Sequence, residues 1–132
     1  MTLAEVLKWI KTLDLQFSNY YVDLIDKKKE KVLGVYNLKS AQKPIIAIGG
    51  LDYTSYNIKR ISLLIHWNKN GDESERKAIE TYQKIMFSYP KQIGAYDINF
   101  ISMLNNNPID VGRDDQGICE YVIEFEIYYK RK

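Results

Sequence analysis

The sequence predicts an α+β fold, a mainly antiparallel sheet flanked by two helices, on three observations. Two stretches repeat apolar residues at helical spacing behind capping residues, and several others alternate with a period of two. The strands follow one another in runs rather than alternating with helices. The expected order is α-β-β-β-β-α-β-β, in one domain over residues 1–132.

The first helix opens on Thr2 and Glu5, a capping-box pair in which each side chain reaches an orphan backbone N–H. Val6, Leu7, Ile10 and Leu13 then share a helical face, with Trp9 beside it. A hairpin is expected next. Residues 17–25 are rich in aromatic and β-branched side chains, residues 31–39 carry Val32, Leu33, Val35 and Tyr36, and the charged run 26–30 reads as a solvated turn. Residues 44–48 read as a third strand with Pro44 at its first position, closed by Gly49 and Gly50. After a polar loop comes the most apolar strand, residues 57–67. Ile61, Leu63, Ile65 and Trp67 face one way, and Ile58, Ser62, Leu64 and His66 the other, which suggests a central strand.

Asp72 and Glu75 read as a second capping box. Ala78, Ile79, Tyr82, Ile85, Met86 and Tyr89 mark the apolar stripe of its helix, and Pro90 stops it. Two strands finish the chain. In the first Tyr96, Ile98 and Phe100 alternate until the strand fades near Leu104, and a polar loop continues to Gly117. In the last, Cys119, Tyr121, Ile123, Phe125, Ile127 and Tyr129 share one face, while Glu120, Glu124 and Glu126 share the other with Val122 among them.

Composition excludes several function classes. Nineteen basic and 17 acidic residues leave a formal charge of +2, which gives no support to sequence-specific nucleic-acid binding. A single cysteine rules out an intramolecular disulfide and fits a reducing cytoplasm. The first residues do not read as a signal peptide, and no apolar run approaches the roughly 18 residues of a membrane span. Eleven tyrosines fit either a β-rich domain or a surface half-buried against partners.

No catalytic or metal site assembles from these residues. His66 is the sole histidine, and Cys119, its only conceivable nucleophile, lies in phase with the last strand's apolar stripe, as a buried, inert thiol does. One histidine and one cysteine cannot supply a zinc tetrad. Asp110, Asp114 and Asp115 lack the spacing and closing glutamate of a calcium loop. Gly49-Gly50 is not followed by the lysine and helix of a phosphate loop. Lys27, Lys28, Lys29 and Lys31 are diluted by Asp26 and Glu30 and read as a solvated turn. The chain is expected to need no cofactor.

Several segments together resemble a family of bacteriophage minor capsid proteins found in viruses of Gram-positive bacteria. They are Gly49-Gly50-Leu51-Asp52-Tyr53-Thr54-Ser55-Tyr56, then Ile58-Lys59 and Ile61-Ser62-Leu63-Leu64-Ile65-His66-Trp67, the acidic-capped helix from Glu73-Ser74-Glu75 to Tyr82, and Gly112-Arg113-Asp114 leading through Gly117-Ile118 to Tyr128-Tyr129. By length and element order the family is similar to the tail-terminator and tail-completion proteins of long-tailed phages. The resemblance implies a structural, non-enzymatic virion protein assembled in the host cytoplasm. It implies a ring, usually a hexamer, that caps the tail tube and meets the head connector proteins, with genome DNA passing through it and no membrane partner. Under that reading Asp52, Tyr53, Tyr56, Lys59, Arg60, Arg113, Asp114 and Asp115 are the candidate assembly contacts. Glu120, Glu124 and Glu126 either face solvent by simple alternation or line the channel. A head-side stopper or adaptor is the alternative within the virion, and a small module stacking bases on tyrosines is the alternative outside it.

Overall fold

Thr2 starts the first helix, α1 (Leu3–Lys11), by the expected reciprocal contacts: its Oγ1 accepts the Glu5 N–H at 3.2 Å, and Glu5 Oε1 accepts the Thr2 N–H at 2.9 Å. The computed structural model describes residues 1–39 and 56–130. Among them α1 is followed by strands β1 (Asn19–Val22), β2 (Val32–Asn37) and β3 (Tyr56–His66), helix α2 (Gly71–Met86), and strands β4 (Gln92–Ile93), β5 (Tyr96–Met103), β6 (Ile109–Arg113) and β7 (Cys119–Lys130). The architecture is α+β, with a seven-stranded mixed sheet in which six strands follow the order β1-β2-β3-β7-β5-β4 and β6 pairs with β7 off that path. The strand expected over residues 44–48, and the Gly49-Gly50 turn, lie outside the described residues.

Strand β7 runs down the middle. Strand β3 occupies one of its edges from Glu120 to Lys130, while β6 and β5 share the other, pairing with residues 119–122 and 125–129 in turn. The period-two reading of both central strands holds. Ile61, Leu63 and Ile65 pair with Phe125, Ile123 and Tyr121 on a fully covered face. Against that face pack Val6, Leu7, Trp9 and Ile10 of α1 and Ala78, Tyr82 and Ile85 of α2, so both helices cover the same side. Cys119 is buried there too.

The hairpin expected from residues 17–39 does not form: β1 runs parallel to β2, with Asn19 opposite Val32 and Val22 opposite Val35. Asp23, at φ 61°, turns the chain off the sheet, and Leu24 and Ile25 then cross β2 over Gly34 before the charged run returns to the start of β2. A side chain at Gly34 would stop this crossing. Its Cβ would lie 2.6 Å from Ile25 Cγ2, 2.8 Å from Tyr36 Cε1 and 3.1 Å from the Leu24 carbonyl oxygen. The charged run 26–30 is thus the return leg of a crossover, which composition alone does not distinguish from a hairpin turn. Gly34→Ala is expected to cost about 1–3 kcal/mol through this overpacking, measurable as a lower midpoint in urea unfolding.

The second helix starts two residues earlier than the sequence suggests. Asn70 caps it, its Oδ1 accepting the Glu73 N–H at 3.0 Å, while Asp72 pairs with Arg76 at 2.7 Å across one turn. The buried face is Ser74, Lys77, Ala78, Thr81, Tyr82 and Ile85, a 3-1-3-1-3 spacing that leaves Ile79 outside it and 42 % exposed. The helix ends at Met86, so Tyr89, expected on the stripe, sits beyond it at φ 41° and is exposed.

Two departures follow in the second half of the sheet. A register shift between Ile98 and Phe100 breaks the expected alternation: Ile98 and Phe100 oppose the adjacent residues Tyr129 and Tyr128, so they point to opposite faces, and Phe100 is left 55 % exposed. The loop expected up to Gly117 contains β6, a strand whose side chains from Asp110 to Arg113 are all exposed. Its apolar content is too low to announce a strand. The backbone of β7 supplies its partners, with a bulge between Asp110 and Gly112 at which Gly112 takes φ 92°.

Candidate assembly surfaces

The sheet face opposite the helices carries most of the residues singled out in the sequence, and the structure sorts them into two groups. Six positions separate Arg60 from His66 along β3, which at about 3.3 Å per residue places the groups about 20 Å apart. Asp52 and Tyr53 lie outside the described residues.

At the end where β3 begins, Tyr56 lies 5.5 Å from the Tyr128 ring, and Tyr128 stacks on Phe100 with centroids 4.3 Å apart and planes 16° from parallel. This three-ring ladder crosses β3, β7 and β5. Phe100 was not among the candidates, because the bulge that turns it onto this face is not legible in the sequence. Beside the ladder Arg60 Nε stands 2.9 Å from Glu126 Oε2, although the N–H is not aligned on the carboxylate, so the pair is held by charge rather than by a directed hydrogen bond. The Tyr128 hydroxyl donates to the other oxygen of Glu126 at 3.1 Å. Burial first, and then the Glu126 carboxylate, push the Tyr128 phenol above its ordinary range. Lys59 belongs to the opposite phase of β3, across from Ile127, and desolvation lowers its amine.

At the other end His66 is fully buried between two loops. Its Nδ1 lies 3.0 Å from Glu120 Oε2, and its Nε2 lies 3.2 Å from the Lys27 carbonyl oxygen and 3.6 Å from Asp114 Oδ2. Asp114 closes the β6–β7 turn, its Oδ1 accepting the N–H groups of Gln116 and Ile118 at 2.9 Å. Arg113 braces the same turn through Nη1, which donates to the carbonyls of Lys69 and Gly117 at 2.8 Å each. Asp115 projects into solvent. Cys119 cannot serve His66 as a nucleophile. Glu120 is the direct neighbour of His66 across the strands, so the adjacent Cys119 points to the other face.

Desolvation raises the Asp114 carboxyl, but the Ile118 and Gln116 N–H groups, with His66 and Lys27 nearby, outweigh it and hold the carboxyl below its ordinary 3.8. A folded value below the unfolded one means that this stabilisation is present at neutral pH and fades as pH falls through the lowered value. Asp114→Asn is therefore expected to lower stability at neutral pH and to flatten the acid limb of a plot of Tm against pH.

The three candidate lumen carboxylates share this face, and each has an internal partner. Glu120 meets His66, Glu124 Oε1 accepts from Asn105 at 3.1 Å, and Glu126 meets Arg60. Two hollows adjoin α2. A hollow of about 270 Å³ is lined by Met86, Tyr89, Pro90, Ile98, Phe100 and Ile101 among others, and a smaller one of about 110 Å³ by Glu75, Ala78, Ile79, Asn107, Pro108 and Tyr121. Among the described residues no group of three or more His, Cys, Asp or Glu could hold a metal ion, and no helix is long and apolar enough to cross a membrane.

What the arrangement offers is adhesive area: stacked aromatic rings, an exposed strand and unfilled apolar hollows. No curated protein matches the chain. A family model described as bacteriophage tail terminator protein matches residues 1–131. The match spans both groups of surface residues and every element of the fold, and on it the chain belongs to the bacteriophage tail terminator family, structural proteins of the phage particle.

Proposed function

We propose that this chain forms a homohexameric ring that caps the tail tube at the head–tail junction, with tail tube protein on one side and head connector proteins on the other. The match to the tail terminator family over residues 1–131 carries this reading. The surface is compatible with it. A closed ring joins two different patches of the same chain, and the described sheet has open rails at both ends of its strand order. The half-buried Tyr56, Tyr128 and Arg60, and the β6–β7 turn with Arg113, Asp114 and Asp115, are the proposed contacts with neighbours in the virion. Assembly takes place in the host cytoplasm, and the genome passes through the finished ring.

Electron microscopy of the purified protein mixed with tail tubes tests the assignment. Added density at one end of each tube is the expected result. Density only on isolated head connectors would instead place the chain on the head side, as a stopper or adaptor.

A further inference from the structure

We infer that the fold holds His66 as the doubly protonated imidazolium, a cationic latch between two loops that opens when the ring sheds a proton. Acceptors meet both nitrogens of the buried ring. The Lys27 carbonyl oxygen, 3.2 Å from Nε2, has no proton to give, so Nε2 must carry the hydrogen for that bond to exist. Nδ1 faces Glu120 Oε2 at 3.0 Å, and an ionised carboxylate there accepts only from Nδ1–H. The alternative places the proton on Glu120 and leaves the ring neutral. A carboxyl group is ordinarily about two units more acidic than an imidazolium, and Glu120 keeps 18 % of its side chain in solvent, so the proton stays on the ring. Asp114 supplies an independent argument. Its side chain is 7 % exposed, and its Oδ2, 3.6 Å from Nε2, is buried with no hydrogen-bond partner. Such an oxygen is costly to bury unless a positive charge stands beside it.

The latch joins separate pieces of the chain. His66 ends β3, Lys27 lies on the return leg of the crossover, and Asp114 closes the β6–β7 turn that carries Arg113 and Asp115. Other charged groups also act on these carboxylates. The exposed Lys27 ammonium favours ionised Asp114, and on β2 the Tyr36 phenol is pushed up by burial first, then by Asp23 and Glu120. The β2 residue directly opposite His66 is the uncharged Val32. A neutral ring has one N–H for its two sides. Whichever nitrogen keeps it, a lone pair then meets a carboxylate or a carbonyl across 3.0–3.2 Å, and Asp114 Oδ2 loses its cation. The latch is therefore complete where the ring is charged and Asp114 and Glu120 are ionised, and it is lost as rising pH removes the ring proton. The device belongs to the single chain and does not depend on the ring of subunits.

His66 is the sole histidine, so an untagged chain labelled with ¹⁵N-histidine reports on this ring alone. At about pH 7, where an exposed imidazole is mostly neutral, both ring nitrogens are expected at the chemical shift of a protonated nitrogen. As pH rises to about 9, one nitrogen should lose its proton. Amide protection at Gln116 and Ile118, corrected for intrinsic exchange, should fall on the order of tenfold with the same midpoint. His66→Gln keeps a donor and an acceptor without the charge and should abolish this step. Glu120→Gln, at a partly exposed side chain, should move the step to lower pH, and it decides the matter should His66→Gln fail to fold. An unprotonated ring nitrogen at about pH 7 would overturn the latch. So would turn amides that ignore the ring's titration, or a step that Glu120→Gln leaves in place.

Discussion

Phe125→Ala, at the largest fully buried side chain among the described residues, is expected to lower stability by about 3–5 kcal/mol. Phe125 is fully buried in the central strand β7, directly opposite Ile61, and its ring meets Trp9 of α1 edge-on, with centroids 6.4 Å apart and planes at 72°. Truncation would open a cavity between the sheet and α1 in a place where the pairing of β3, β7 and β5 leaves the backbone little freedom to collapse. Thermal unfolding should show it as a fall in Tm of roughly 10–20 °C, at about 4 °C per kcal/mol for a chain near this size. A fall of only a few degrees would mean that α1 settles into the space.

His66→Leu is expected to cost about 2–5 kcal/mol, through a different mechanism. Leucine fills the space but offers no ring nitrogen to Glu120 or to the Lys27 carbonyl, and it leaves Asp114 Oδ2, which has no hydrogen-bond partner of its own, facing an apolar side chain. The damage should be local before it is global. Amide hydrogen exchange at Gln116 and Ile118, whose N–H groups are held by Asp114, should quicken more than exchange in β3 and β7. Uniform acceleration across the sheet would show instead that His66 supports the whole fold rather than these two loops.

The parts of this architecture that follow from period alone were readable in the sequence. Thr2 and Glu5 announce α1, and the odd-numbered stripe from Cys119 to Tyr129 announces the buried face of β7, because each pattern is a direct image of a local geometry. Features that depend on a partner strand were not. The parallel pairing of β1 needs Gly34 to let Leu24 and Ile25 cross, and a glycine in a run of strand-forming apolar residues does not say what passes over it. β6 has its strand geometry lent by β7, and Phe100 owes its exposure to a bulge. The surface residues were legible as a set but not as groups. Glu120, Glu124 and Glu126 share a face as alternation requires, yet their partners His66, Asn105 and Arg60 are distant in sequence, so the engagement of each carboxylate appears only once the sheet is assembled. Family membership rests on the whole chain rather than on any one motif.

The number of copies in the assembled particle bears most directly on the account. Native mass spectrometry of the purified protein at increasing concentration should give a dominant species of six copies, with smaller assemblies fading as it grows. A chain that remains monomeric across the series, and still does when tail tubes are added, would contradict a ring built from its own surfaces.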